Sequence, residues 1–335
     1  MNNITLSKNY VPVLDEVYKN AETSSILNSP EKDIKMGQKA GEFLIAKYSM
    51  DGLKDYSRNS GYKKGNVKLE WETHKANYDR GTKFEVDTMD NEESAELAFG
   101  KLAGEFARTQ SGPEQDAFTY ATLAGKEGVS ITDETLTSGD DILSAIQREQ
   151  SAMDEEEVNG VSRYLFITST LLRKAQNVEK YKSTGVLDEF AGIVKVPQKR
   201  FYTAINLLSG DEGKESIGGY EKASAEYEKT KDASYVSGKT YYTKSGDTYT
   251  KFTGNTLASG TDYYELVAEE GKDINFMIVE KSAILKWPKH TASDIIVPEN
   301  NTDSDAYIQK HRVYGIVDIY ENKVAGVRVS AKPLA

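Results

Sequence analysis

The sequence predicts an α+β fold, and three observations carry that reading. Val67, Leu69 and Trp71 alternate with charged residues, and Phe84, Val86 and Thr88 alternate again, the period-two pattern of half-buried strands. Phe99, Leu102, Ala103 and Phe106 recur at helical spacing and form one apolar stripe. The run Ile274-Asn275-Phe276-Met277-Ile278-Val279 reads as a strand buried on both faces.

Residues 1–47 mix short apolar clusters with polar breaks. Val11, Val13, Leu14 and Val17 fit a short helix, Ser29-Pro30 marks a break, and the segment reads as an arm docking on something else or as a disordered tail. Gly52 to Gly65 is polar and glycine-marked. After it, the alternation at 67–71, turn chemistry in Asn77-Tyr78-Asp79-Arg80-Gly81 and the alternation from Phe84 predict a long hairpin. Two strands alone are marginally stable in water, so the apolar face of that hairpin needs a cover from this chain or from a neighbour.

Asp90 or Asn91 can cap the next helix, with Glu92 and Glu93 favourable in its first turn. Ala117, Phe118, Ala121 and Ala124 resume the stripe after Gly112-Pro113, so one long helix is expected, broken or kinked at Pro113. Thr137 or Ser138 caps a helix through Ile142, Ile146 and Met153, and Asp154-Glu155-Glu156-Glu157 ends it, since acidic residues oppose the dipole there. Arg163 to Ile167 is a buried strand, followed by a helix through Leu171, Leu172 and Ala175. The chain closes with strands at 313–320 and 324–329, joined by a turn at Glu321-Asn322-Lys323.

Between about 220 and 270 the composition shifts to tyrosine, threonine, serine, glycine and lysine. Ser237-Gly238-Lys239-Thr240-Tyr241-Tyr242 recurs as Ser259-Gly260-Thr261-Asp262-Tyr263-Tyr264, and Ser245-Gly246 turns one strand back into Thr248 to Phe252. Adjacent strand residues face opposite sides, so each tyrosine pair sends one ring inward and one outward. This is a small inserted β-module.

With 335 residues, 38% of them hydrophobic and 28% charged, the chain fits a globular protein. No stretch approaches the roughly 20 apolar residues that cross a bilayer, and no signal peptide is visible at the start. The absence of cysteine excludes disulfides and thiolate metal sites. A net charge of −11 argues against gripping nucleic acid through phosphates, although Lys195 to Arg200 is locally basic.

No catalytic, cofactor or metal site emerges. His74, His290 and His311 are not spaced as metal ligands and suit surface or packing roles. Gly238-Lys239-Thr240 imitates the end of a phosphate loop, but Ala233 stands at the first glycine and tyrosines follow where a helix should begin. The acidic run 154–157 lacks the alternating ligands and central glycine of a calcium loop.

Several ordered motifs resemble the major capsid proteins of tailed bacteriophages of Gram-positive bacteria. They are Asp55-Tyr56-Ser57-Arg58-Asn59 with Gly61-Tyr62, Val67-x-Leu69-x-Trp71-Glu72-Thr73, and Asn77-Tyr78-Asp79-Arg80-Gly81 leading into Phe84-x-Val86-Asp87 and Met89-Asp90-Asn91-Glu92-Glu93. Gly104-Glu105-Phe106-x-Arg108-Thr109, Pro113-Glu114, Asp273 to Val279, Lys281-Ser282-Ala283 and Tyr320-Glu321-Asn322-Lys323-Val324-x-Gly326 extend the likeness. Ser111-Gly112-Pro113 departs from it, because the family usually runs through two valines before that proline.

The resemblance implies an HK97-like capsid fold with an N-terminal arm at 1–47, an extended loop at 48–89 and a peripheral-domain spine helix at 90–128. An axial domain at 129–305 would carry the 220–270 insertion, and 306–335 would supply C-terminal strands. It further implies self-assembly into pentamers and hexamers of an icosahedral shell enclosing double-stranded DNA. The virion would be its location, after assembly in the host cytoplasm, with a portal and a separate scaffolding protein as partners. Trp71 and Phe84 are then expected as apolar assembly anchors, and Asp79 and Arg80 as a charged tip or turn setting register. Tyr241, Tyr242, Tyr263 and Tyr264 are expected on the surface of the insertion module. There they would meet a decoration protein or host glycan, or steady a neighbouring subunit. An encapsulin-like nanocompartment shell and a glycan-binding surface protein are the rival readings.

Overall fold

The structure is a computed structural model that describes residues 22–30, 35–36, 41–59, 61–89, 104–178, 185–211, 217–232, 234–237, 239–246, 248–254, 256–258 and 261–334. The helix expected at 11–17 and the first half of the spine helix, with its cap at 90–91 and Phe99, Leu102 and Ala103, lie outside them. So do Gly238, Ser259 and Gly260 of the repeat. The chain forms two compact units, 1–109 with 282–321, and 110–281 with 322–335.

In the first unit, β1 (Lys35–Met36), β2 (Glu42–Met50) and β3 (Val67–Lys75) make an antiparallel sheet in that order. A second sheet has the order β15 (Ile284–Ile296), β16 (Ala306–Ile319), β4 (Tyr78–Asp87), also antiparallel. The expected hairpin is therefore wrong in its pairing: β3 pairs with the upstream β2, with Trp71 opposite Ala46, and not with β4. The physical reason lies in the two residues that join β3 to β4. Neither Ala76 nor Asn77 has the positive φ that a two-residue hairpin turn demands. Asn77 instead donates its amide Nδ2–H to the Val317 carbonyl (2.7 Å) and accepts the Val317 N–H at Oδ1 (3.0 Å), carrying the chain from one sheet into the other. Gly81 is a strand residue, required because a Cβ there would stand 2.9 Å from the His311 carbonyl oxygen.

The inner face at the base of β2–β3 packs Phe43 and Ile45 on Leu285 and Ile316, with Trp287 edge-on to Phe43 at 5.4 Å. The described part of the arm docks on its own chain. Ser29 donates its N–H to Lys286 O (2.7 Å) and its hydroxyl to Ile284 O (2.9 Å), while Leu27 is fully buried.

In the second unit, five strands run in the order β5 (Ser130–Asp133), β17 (Val327–Ala331), β14 (Ile274–Glu280), β6 (Arg163–Thr168), β7 (Gly192–Val196). Every residue of the central β14 is buried, as its apolar run requires. One face of this sheet receives α2 (Gly139–Glu155) and α3 (Ser169–Gln176), with Ile142, Ile146, Met153, Leu171 and Leu172 against Leu165, Ile167, Phe276 and Ile278. Phe166 points the other way and meets Tyr120 of α1 (Gly112–Ala124) at 5.5 Å. Ser138 caps α2 through a reciprocal box with Asp141, and Glu157, at φ 57°, stops the chain just after it. The break expected at Pro113 takes the form of a π-helical turn over Ala107–Ser111 immediately before α1, and Pro113 stands in the first turn of α1, where its missing N–H costs least.

β8 (Ile205–Leu208) and β9 (Gly219–Lys222) pair and lead into the module, a four-stranded sheet in the order β10 (Glu226–Lys229), β13 (Tyr263–Ala268), β11 (Tyr242–Ser245), β12 (Thr248–Lys251).

Candidate assembly surface

Beyond its base, the β2–β3 hairpin extends with both faces unlike the core. Alternation puts Val67, Leu69 and Trp71 on one side, joined by Met50 opposite Val67. Trp71 is 43% exposed and Leu69 48%, and Met50 and Val67 are more exposed still. The other side carries Lys47, Lys68 and Glu70, with Lys47 3.4 Å from Glu321 and Lys68 paired to Glu70. The hairpin thus offers an apolar stripe backed by charge, a pattern that favours burial of one side only.

The described residues of the tip, 51–59 and 61–66, are tied to one another. Asp51 accepts from Lys54 Nζ (2.8 Å) and from the Asn66 N–H (3.0 Å), and these bonds hold its carboxyl below the usual range. Ser57 bridges Gly61, whose φ of 72° makes the turn, and the Tyr56 and Tyr62 rings meet at 4.9 Å. Tyr62 is 90% exposed, and Leu53 is fully exposed. The sequence marks 52–65 only as polar and glycine-rich, and no local signal there sets Leu53, Tyr56 and Tyr62 apart as exposed apolar residues of the tip. Sequence reasoning also missed β2, whose Phe43 and Ile45 were absorbed into the arm.

Of the predicted assembly residues, only Trp71 lies on the hairpin. Asp79 and Arg80 are not a tip; both lie inside β4, opposite Tyr314 and Val313 of β16. Asp79 accepts two bonds from Arg312 (Nε 2.8 Å, Nη2 2.7 Å), which hold the carboxyl below its ordinary range. Phe84 also belongs to β4, where it is half-buried against Phe106 at 4.9 Å, within its own chain.

In the insertion module the tyrosine pairs split as expected, but not all onto the surface. Tyr241 is 1% exposed and Tyr263 6%, so both are interior residues. The two copies of the repeat share one local geometry. Lys239 N–H donates to Val236 O and Thr261 N–H to Ala258 O, while the Tyr241 and Tyr263 hydroxyls accept the N–H groups of those same residues, Val236 and Ala258 (3.3 and 3.1 Å). Each buried ring thereby latches the turn that precedes it. Tyr242 and Tyr264 lie half-buried on the opposite face.

Among the described residues no group of three His, Asp or Glu could hold a metal ion, and no helix is long and apolar enough to cross a membrane. No family model and no curated protein matches the sequence. Among solved structures, the chain is similar to one from Mycobacterium phage Che8 (TM-score 0.49, 13% identity, 91% of this chain and 89% of that one). It is similar to the capsid structure of cyanophage P-SCSP1u (0.48, 11%, 90% and 86%) and to that of Staphylococcus phage Andhra (0.47, 10%, 92% and 83%).

Proposed function

We propose that this chain is a major capsid protein, a subunit that assembles with copies of itself into the closed icosahedral shell of a tailed bacteriophage. The observation that carries the reading is the β2–β3 hairpin. Its outer stripe of Met50, Val67, Leu69 and Trp71 is exposed within its own chain, while its base is fixed by a packed cluster. A rigid root and an apolar outer stripe suit an element that lies on a neighbouring copy. Heterologous contacts of this kind close into rings when the rotation between subunits allows it. Modest contacts made by each of many copies then add through multivalency.

The sequence motifs that resemble phage capsid proteins lie on this same hairpin, on β4 and around β14, which links the resemblance to the elements in question. Under this reading the shell encloses double-stranded DNA without reading its sequence, in keeping with a net charge of −11. A portal and a scaffolding protein are the partners that shell assembly calls for.

Negative-stain electron microscopy of the concentrated recombinant chain tests the reading. Closed shells, tubes or rings of five or six subunits are the expected result. A monodisperse monomer, both alone and co-expressed with the neighbouring genes of its source genome, would overturn it.

A further inference from the structure

Three of the four strands of the insertion module carry the same triplet, a tyrosine and a lysine two residues apart: Tyr227-x-Lys229, Tyr242-x-Lys244 and Tyr249-x-Lys251. The fourth carries Tyr264-x-Leu266. Residues two apart on a strand share a face. The register then puts all these residues on one side of the sheet, with Lys229 opposite Tyr264, Tyr264 beside Tyr242, Tyr242 opposite Lys251 and Lys244 opposite Tyr249. Glu228 and Glu265 lie on the other side, where they face each other and Lys239 holds Glu265 at 3.2 Å. In a chain of net charge −11 this is a face that gathers donors. Asp262, paired with Lys229 at 2.6 Å, and Glu270, paired with Lys222 at 3.5 Å, border it.

The rings decide what such a face can bind. Tyr227 is on one edge strand and Tyr249 on the other, yet they stack at 4.0 Å with planes 9° apart, so the sheet curls over this side. Tyr242 meets Tyr227 edge-on at 4.9 Å, and Tyr264 meets Tyr249 at 5.2 Å. Lys244 Nζ lies 5.2 Å from the Tyr249 centroid. The stacked pair uses one face of each of its rings within the cluster, which leaves less platform for a nucleic-acid base or the apolar side of a neutral sugar. Phenolic hydroxyls and ammonium groups line this face. Burial raises the Tyr227 hydroxyl above its ordinary value, so it stays a donor.

We propose that this tyrosine–lysine face binds an acidic polysaccharide, with the lysines meeting its carboxylate or sulfate groups and the tyrosine hydroxyls its neighbouring oxygens. A donor pair repeated three times suits a ligand that repeats its own charge along a chain. The proposal is independent of shell formation, and its test does not depend on it.

Isothermal titration calorimetry of the full chain with a heparin-derived decasaccharide and with a polygalacturonate oligosaccharide tests it at low salt. Saturable binding that weakens as salt rises is expected, because exposed charge contacts are screened. The double variant Lys244→Gln/Lys251→Gln should bind roughly tenfold more weakly, since charge-assisted contacts are lost. Both lysines are exposed, so its circular dichroism should match the parent. No binding to either glycan overturns the proposal, as does equal binding by the double variant. Tighter lysine-dependent binding of oligothymidylate would make the face a nucleic-acid site, and equal binding of neutral dextran would remove the role of charge; either result overturns it too.

Discussion

His74 stands between two carboxylates, with Nδ1 2.8 Å from Asp318 Oδ2 and Nε2 2.8 Å from Glu72 Oε1. The imidazole is buried, and Asp318 is itself steadied by accepting the Ile319 N–H at 2.8 Å. The two nitrogens point away from each other, so the three groups cannot converge on a metal ion. What they do is fasten β3, through His74, to β16, through Asp318. Replacing His74 by alanine strands polar atoms in a closed site and should cost about 1–3 kcal/mol. Chemical denaturation measures that loss, and hydrogen exchange should rise first in β2 and β3. Unchanged exchange there would mean that the apolar base cluster alone holds the hairpin.

His311 makes the same unit sensitive to acid. It is 4% exposed beside Phe106 at 5.6 Å, and burial pushes its imidazole down to about 4 from 6.5. The unfolded chain therefore takes up the proton first. Stability from this residue is fully present above pH 6.5, is lost as the pH falls toward 4, and levels off below that. The loss at the bottom of this window is about 3 kcal/mol on the linkage relation. His311→Phe should flatten the stability profile between pH 6.5 and 4, and denaturation midpoints at a series of pH values would show it. A profile that keeps the same acid slope assigns the slope to other groups.

The sequence made most of the second unit legible and misled on the first. Ile274 to Val279 reads as buried, and Thr137 or Ser138 ahead of Ile142, Ile146 and Met153 reads as a helix start, because both signals are local. The pairing of β3 was not local. Asn77 and Gly81 are turn residues by type, but Asn77 spends its amide on Val317 and Gly81 makes room for the His311 carbonyl, both far away in the chain. Asp79 and Phe84 were consequently placed on a hairpin they do not join. Trp71 lies on the strand that its alternation marked, but that alternation predicts a covered apolar face, and only the pairing with β2 shows this face to be the outer one. Tyr241 and Tyr263 are interior because Tyr235 and Phe252, from segments outside the strands, meet their rings at 5.6 and 4.9 Å, contacts that strand alternation does not announce.

The arm residue Glu22 holds a buried cation. Lys286, 4% exposed in β15, has its ammonium 3.3 Å from Glu22 Oε2 and donates to Ser24 Oγ at 2.7 Å. Removing one partner of such a pair leaves an uncompensated charge, so Glu22→Ala should destabilise the chain by about 3 kcal/mol or more, whereas Lys286→Met, which removes the charge itself, should cost less. Thermal denaturation of the two variants gives the ranking. The reverse order would show that the ammonium is well solvated and that Glu22 contributes nothing to anchoring the arm.

Trp71 and Phe84 were expected to do the same work, and the structure separates them into residues with opposite mutational signatures. Trp71 is 43% exposed on the hairpin, so Trp71→Ser should change the stability of the isolated chain by less than about 0.5 kcal/mol. If the outer stripe is covered by a neighbouring copy, the same change should abolish or strongly reduce assembly, because it removes a large buried anchor from every contact. Phe84→Ala should do the reverse. It loosens the ring pair with Phe106 and costs about 2 kcal/mol of chain stability, with assembly falling only as folding does. Sedimentation velocity reads the first effect and urea denaturation the second. A Trp71→Ser chain that assembles as well as the parent would take the hairpin stripe out of the interface and, with it, the observation on which the shell reading rests.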